Sequence, residues 1–157
     1  SPLGKNELYQ LASGIGSDCA FFLNSKPAIA HGRGEILESF PLSLSGYYLI
    51  LIQPPVHVST AAAYAGIDLL KGKTENSLYA LAGLPIGEWR NFLKNDFESS
   101  VFSEHPVIGE TKQMLYDSGA LYASMSGSGS SVFGLFQEQP KPIELQSGFK
   151  QFIFLLP

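Results

Sequence analysis

Apolar residues along this chain fall into short runs punctuated by glycine, proline and serine. From Asn6 to Ala12 they recur at helical spacing, and Gly14 and Gly16 supply the backbone freedom for a sharp exit, so a short helix is predicted there. Ala20 to Leu23 and Ala28 to His31 read as two short strands separated by an Asn24-Ser25-Lys26-Pro27 turn, and Gly32-Arg33-Gly34-Glu35 then breaks the regularity again. Tyr47 to Gln53 has the length and continuity of a buried strand. Pro54-Pro55 ends it, because proline brings no N–H to a ladder. Ser59 suits the cap of a helix running through Ala61, Ala63 and Tyr64 to Leu70 and ending at Gly72.

Helical patches follow around Ser77 to Ala82, Trp89 to Leu93 and Val107 to Asp117, the last with Ile108, Thr111 and Leu115 on one face and Gly119 closing it. Leu121 to Met125 and Val132 to Phe136 read as strands around a Ser/Gly loop, and Gln151 to Leu155 supplies a final strand. A strand, then helices, then three strands predicts an antiparallel sheet with helices packed on one face, an α+β arrangement. The segment up to about Leu42 has too little apolar surface to form a core of its own. Residues 1–42 are therefore expected to be the remnant of a preceding domain, and residues 43–157 a second domain.

Composition narrows the class. With 45% hydrophobic and 15% charged residues the chain belongs among globular proteins rather than disordered ones. Ten basic against fourteen acidic residues give a net charge of -4 and no cationic stripe, so nucleic acid is not an expected partner. The longest apolar runs are strand-sized, which predicts no membrane-spanning helix. One cysteine, Cys19, leaves no internal disulfide and no thiol cluster for a metal, and fits a reducing cytoplasm. No signal peptide opens the chain and no initiator Met precedes Ser1, so the natural start is expected upstream.

Three stretches could carry chemistry. Gly16-Ser17-Asp18-Cys19-Ala20-Phe21-Phe22 puts an acid on a glycine-supported loop, where it either accepts a hydroxyl proton or caps a turn; its own neighbourhood leaves both open. Met125-Ser126-Gly127-Ser128-Gly129-Ser130-Ser131 leaves backbone N–H groups uncovered, and its strand-like flanks predict a structured loop rather than a linker. Whether it touches a ligand is locally undecided. Pro55-Val56-His57-Val58-Ser59-Thr60 leads from a strand into a helix start rich in hydroxyls, which serve either as caps or as contacts for a phosphorylated substrate. His31, His57 and His105 read as loop or surface residues without metal-ligand spacing, and Cys19 as a small buried side chain rather than a nucleophile. Asn95-Asp96-Phe97-Glu98 reads as a helix start with an acidic first turn.

In this order, the Asp18 loop, Gly32-Arg33-Gly34-Glu35, Pro55 to Thr60, Asn95 to Glu98 and Met125 to Gly129 resemble the C-terminal half of the galactokinase/homoserine kinase/mevalonate kinase (GHMP) superfamily. Within it, they resemble the branch that phosphorylates the 2-hydroxyl of a cytidine-diphosphate-linked methylerythritol, a step towards isoprenoid precursors. The resemblance spans Asn6 to Phe136 and implies a ferredoxin-like antiparallel sheet. It makes residues 1–42 part of the ATP-binding N-terminal domain, most of which would be a missing partner of this chain. It also implies ATP as cosubstrate, Mg2+ accompanying the ATP, and a small-molecule acceptor. Asp18 matches the catalytic aspartate, Thr60 a substrate-contacting threonine, Tyr64 an aromatic position against the cytidine, and Gly127, Ser128, Gly129 and Ser130 the third superfamily motif near the phosphate site. No residue matches a protein metal ligand, and a homodimer is left open.

There are two departures. Ala20 stands where the branch usually has proline. The ATP-cradling Gly-rich loop and the active-site lysine lie upstream, so this chain by itself is expected to be inactive. Another GHMP small-molecule kinase and a non-catalytic α+β interaction module are the competing readings; Asp18 and Thr60 together favour catalysis over the module.

Overall fold

In a computed structural model of the chain, residues 3–16, 18–23, 26–34, 36–67 and 78–157 are described. They form two compact units: one of residues up to 43 with 78–82, the other of residues from 44 onward apart from that insert.

In the smaller unit, α1 (Lys5–Ile15) starts where Glu7 accepts the Gly4 N–H at 2.8 Å, and ends as the Gly16 N–H returns to Ala12 O. The strand expected over Ala20 to Leu23 is instead a 3₁₀ turn, Cys19–Leu23. Cys19 N–H bonds Gly16 O and Phe21 N–H bonds Asp18 O, so these donors are spent locally. The partner of β1 (Ala28–His31) is β2 (Ile36–Ser39), paired antiparallel from Ala28 opposite Ser39 to His31 opposite Ile36. The Gly32 to Gly34 stretch is thus a hairpin connection, with Gly34 N–H on His31 O. Helix α3 (Leu78–Leu81) belongs to this unit, with the Tyr79 ring edge-on to Phe40. A hydrogen bond from Tyr79, then one from His31, holds the exposed Glu38 carboxyl below its ordinary range.

In the larger unit, β3 (Tyr48–Gln53), β4 (Tyr122–Met125), β5 (Val132–Phe136) and β6 (Lys150–Leu155) lie in the order β4-β5-β3-β6, every neighbour antiparallel. Counted along the chain this is 2-3-1-4, the strand order of the ferredoxin-like sheet, with a helix-free connection over residues 137–149 in place of the second crossover helix. The first crossover carries α2 (Thr60–Ala65), α4 (Trp89–Phe92), α5 (Glu98–Glu104) and α6 (Pro106–Asp117). Proline opens α6 at its first turn, where its missing N–H costs nothing.

One sheet face presents Ile50, Ile52, Ala123, Met125, Val132 and Phe136 to Ala63, Val101, Ile108 and Leu115 of the helices, and this is the core. The face predicted for α6, Ile108-Thr111-Leu115, is the buried one. Gly134 allows the close fit: a Cβ there would sit 3.1 Å from Leu115 Cδ2 and 3.2 Å from Ala120 Cβ. The helices are not confined to one face, however. Trp89 of α4 stands edge-on to Tyr122 on the opposite face, centroids 5.7 Å apart. Phe152 and Phe154, stacked on that same face at β6, stay about half exposed.

Candidate functional site

β3 stops at Pro54, and the extended residue Ser59 caps α2 by accepting the Ala62 N–H on its hydroxyl. Thr60 is consequently the first residue of α2, with its side chain outward, and its Oγ1 lies 3.1 Å from Ser128 Oγ. One turn later on the same helix face, Tyr64 is exposed and meets Phe97 edge-on at 4.9 Å. The structure thus gathers Thr60, Tyr64 and the Ser/Gly loop on one side of the larger unit. The helix itself is shorter than expected: α2 ends at Ala65, and past Gly66 the Ile67 N–H falls back on Tyr64 O instead of the Ala63 carbonyl that would extend the helix. The predicted continuation from residue 68 lies outside the described residues.

The Ser/Gly loop is a structured turn between β4 and β5. Ser126 N–H bonds Ser131 O at 2.8 Å and Gly129 N–H bonds Ser126 O at 3.0 Å. Gly127 and Gly129 have φ of 56° and 94°, the left-handed region that glycine enters without strain. At Gly129 space adds to this, since a Cβ would fall 2.9 Å from Met125 Sδ. Among the described residues, no backbone partner is taken by the N–H groups of Gly127, Ser128 and Ser130.

Two side chains from the segment before α5 and from its first turn hold this loop. Asn95 Nδ2 donates to Met125 O at 2.9 Å and to Gly127 O at 2.7 Å, while its Oδ1 accepts the Phe97 N–H at 2.9 Å. Glu98 is buried: Oε1 accepts the Met125 N–H at 2.9 Å and the Ser124 hydroxyl at 3.2 Å, and Oε2 pairs with Lys112 Nζ at 2.6 Å. These bonds also satisfy outward groups of the edge strand β4. Reading Asn95 to Glu98 as a helix start locates α5 and overlooks this role, since the partners lie about thirty residues on.

Asp18 sits in the smaller unit, in the turn that opens the 3₁₀ segment, with its carbonyl taken by Phe21 N–H. Cys19 is only half-buried, less covered than the small buried side chain expected there. His57 is exposed as expected. With Ser59, Ala62, Ser100, Glu104 and His105 it lines a cavity of about 210 Å³ on another flank of α2. Among the described residues no three His, Cys, Asp or Glu side chains converge as a metal site, and no helix is long and apolar enough to cross a membrane.

Residues 78–153 match the family described as GHMP kinases C terminal. The chain is 48% identical over 141 residues to the 4-diphosphocytidyl-2-C-methyl-D-erythritol kinase of Porphyromonas gingivalis, covering 89% of the chain and 51% of that protein. It is 47% identical over 152 residues to the same-named protein of Bacteroides thetaiotaomicron, with 97% and 55% covered, and 50% identical over 144 residues to that of Parabacteroides distasonis, with 92% and 52% covered. A crystal structure of 4-(cytidine 5'-diphospho)-2C-methyl-D-erythritol kinase superposes with a TM-score of 0.66 at 26% identity, covering 82% of this chain and 47% of that one. A homoserine kinase from Cytophaga hutchinsonii, at TM-score 0.57 and 19% identity, shares the fold. The chain spans about half the length of the curated relatives it matches.

Proposed function

We propose, from the premise that this chain belongs to the GHMP kinase family as the C-terminal portion of one of its members, that the complete protein transfers the γ-phosphoryl group of ATP to the 2-hydroxyl of 4-diphosphocytidyl-2-C-methyl-D-erythritol. The observation that carries this reading is near-half identity to kinases of that name over most of the chain, through both units rather than the family-matched segment alone.

Asp18 is the catalytic aspartate: it orients the acceptor hydroxyl and takes its proton as the new O–P bond forms and the bond to the β-phosphate breaks, releasing ADP. Thr60 contacts the substrate and Tyr64 offers its exposed ring to the cytosine; their adjacency on α2 supports this pairing. The loop Gly127, Ser128, Gly129, Ser130 faces phosphate, a role supported by its unengaged N–H groups and the hydroxyls of Ser128 and Thr60. Residues 1–42 complete the ATP-binding domain and 43–157 form the C-terminal one; the exposed Ile15 and Phe22 support a larger partner for the first segment.

Mg2+ would accompany the nucleotide and would supply neutralisation of the charge on the transferring phosphoryl group. The reaction belongs to the cytoplasm.

The test is ATP-dependent phosphorylation of 4-diphosphocytidyl-2-C-methyl-D-erythritol by the complete protein, with homoserine and mevalonate as controls. Asp18→Asn is expected to lower kcat by about 100-fold or more, with Tm within about 2 °C of the parent. Turnover of a control alcohol alone would move the substrate assignment elsewhere in the family. Near-parent turnover by Asp18→Asn would remove Asp18 from catalysis.

A further inference from the structure

We propose that Asn95 is the positioning residue that aims the Ser128 N–H of the Ser/Gly loop at the phosphate; the inference rests on reading that loop as phosphate-facing. Three partners fix the carboxamide. Two are carbonyls and one is an N–H, so only the orientation with Nδ2 on Met125 O and Gly127 O and Oδ1 on Phe97 N–H satisfies all of them.

The consequence lies in peptide geometry. The Gly127–Ser128 peptide is trans, so its C=O and N–H point in opposite directions. Drawing Gly127 O onto Asn95 at 2.7 Å turns the Ser128 N–H away from Asn95. The same logic at Met125 O sends the Ser126 N–H the other way, where it meets Ser131 O at 2.8 Å. One of these two donors is therefore used to close the loop and the other is held free. Gly127, in the left-handed region with nothing within 4 Å of a Cβ position, would otherwise let that peptide rotate. Ser128 Oγ, 3.1 Å from Thr60, fixes the same residue from its side chain. Glu98 acts elsewhere, because it binds Met125 N–H and Ser124 and so anchors the end of β4 rather than the Gly127–Ser128 peptide.

In the complete protein, Asn95→Asp removes both donors while keeping an oxygen for Phe97 N–H. We expect kcat to fall by about 100-fold, the scale for losing one preorganised donor to developing charge. The KM for the cytidine substrate should stay within about 3-fold. Asn95→Ala, whose freed Gly127 carbonyl lies on the exposed side and can turn to water, covers the case in which the carboxylate variant does not fold. Ile108→Val is the control for destabilisation alone, since it thins the core away from the loop and should lower Tm while leaving kcat unchanged.

An activity-independent readout is the Ser128 amide signal of the 15N-labelled complete protein titrated with pyrophosphate. It should move in the parent and not in the Asn95 variants. Parent-like kcat in both variants, or a pyrophosphate response as large as the parent's, overturns the proposal. So does a kcat loss no greater than that of Ile108→Val at equal Tm, because it makes Asn95 merely structural. If the parent phosphorylates none of the three alcohols yet its pyrophosphate response disappears on substitution, the kinase reading fails and the positioning role stands. If the parent's Ser128 amide does not respond to pyrophosphate, the positioning role falls even if phosphorylation proceeds.

Discussion

Glu98 illustrates how far a residue's role can lie from its local context. Beside Asp96 at a helix start it looks like a solvated first-turn acid, and it does open α5, where the helix dipole favours it. Its carboxylate is nevertheless buried against Lys112, Ser124 and the Met125 N–H, 14 to 27 residues away, and no periodicity encodes those distances. Tyr122, close by, carries a measurable signature of the same environment. Burial above all, with the Glu98 charge adding to it and a hydrogen bond with Ser124 opposing, pushes its hydroxyl up to about 12 from 10.0. Between those values the unfolded chain gives up this proton and the folded one keeps it, so stability is lost as pH rises through the window. The loss from this group is up to ~2 kcal/mol, and it is absent below about pH 9. Urea midpoints measured from pH 9 to 12 should therefore fall more steeply for the parent than for Tyr122→Phe; parallel slopes would contradict the buried phenol.

Among the elements, most runs of matching periodicity have the predicted type: α1, β1, β3, α6, β5 and β6 form where the pattern puts them. The failures share a cause. Ala20 to Leu23 has strand composition, but a strand exists only when another strand receives its hydrogen bonds. Here the partner of 28–31 is 36–39, so the earlier run closes on itself as a 3₁₀ turn. Helix α2 stops short of the predicted Leu70, and a tertiary contact sets which residue can stand at its end. A Cβ at Gly66 would lie 2.5 Å from Ser100 Cβ, so the residue there must be glycine for α2 to pass α5. Gly66→Ala should destabilise the fold by about 1–3 kcal/mol in urea titration. Gly14→Ala, in α1 with nothing within 4 Å, should be neutral or stabilise by about 0.5–1 kcal/mol. Equal costs at both positions would refute the α2–α5 contact.

At the scale of the whole molecule, β6 is the last strand in sequence, yet it pairs with β3 along all six residues of that strand, from Tyr48 opposite Leu155 to Gln53 opposite Lys150. Removing residues 149–157 would strip a ladder from the central strand and uncover Leu49 and Leu51. Loss of a cooperative unfolding transition by circular dichroism is expected; a sharp transition retained near the parental midpoint would show β6 to be dispensable.

The sequence by itself determined most of the element types, the α+β class, the family resemblance, and Asp18, Thr60, Tyr64 and the Ser/Gly loop as candidates, because periodicity, capping and motif chemistry are written in residues close together. Only the tertiary structure decided the strand order, the placement of Trp89 across the sheet from the main helices, the need for glycine at the end of α2, and the hold of Asn95 on the Ser/Gly loop and of Glu98 on the end of β4. Each of these depends on which distant groups satisfy one another's hydrogen bonds and volume once the chain has closed, and that is a property of the packed molecule rather than of any local run.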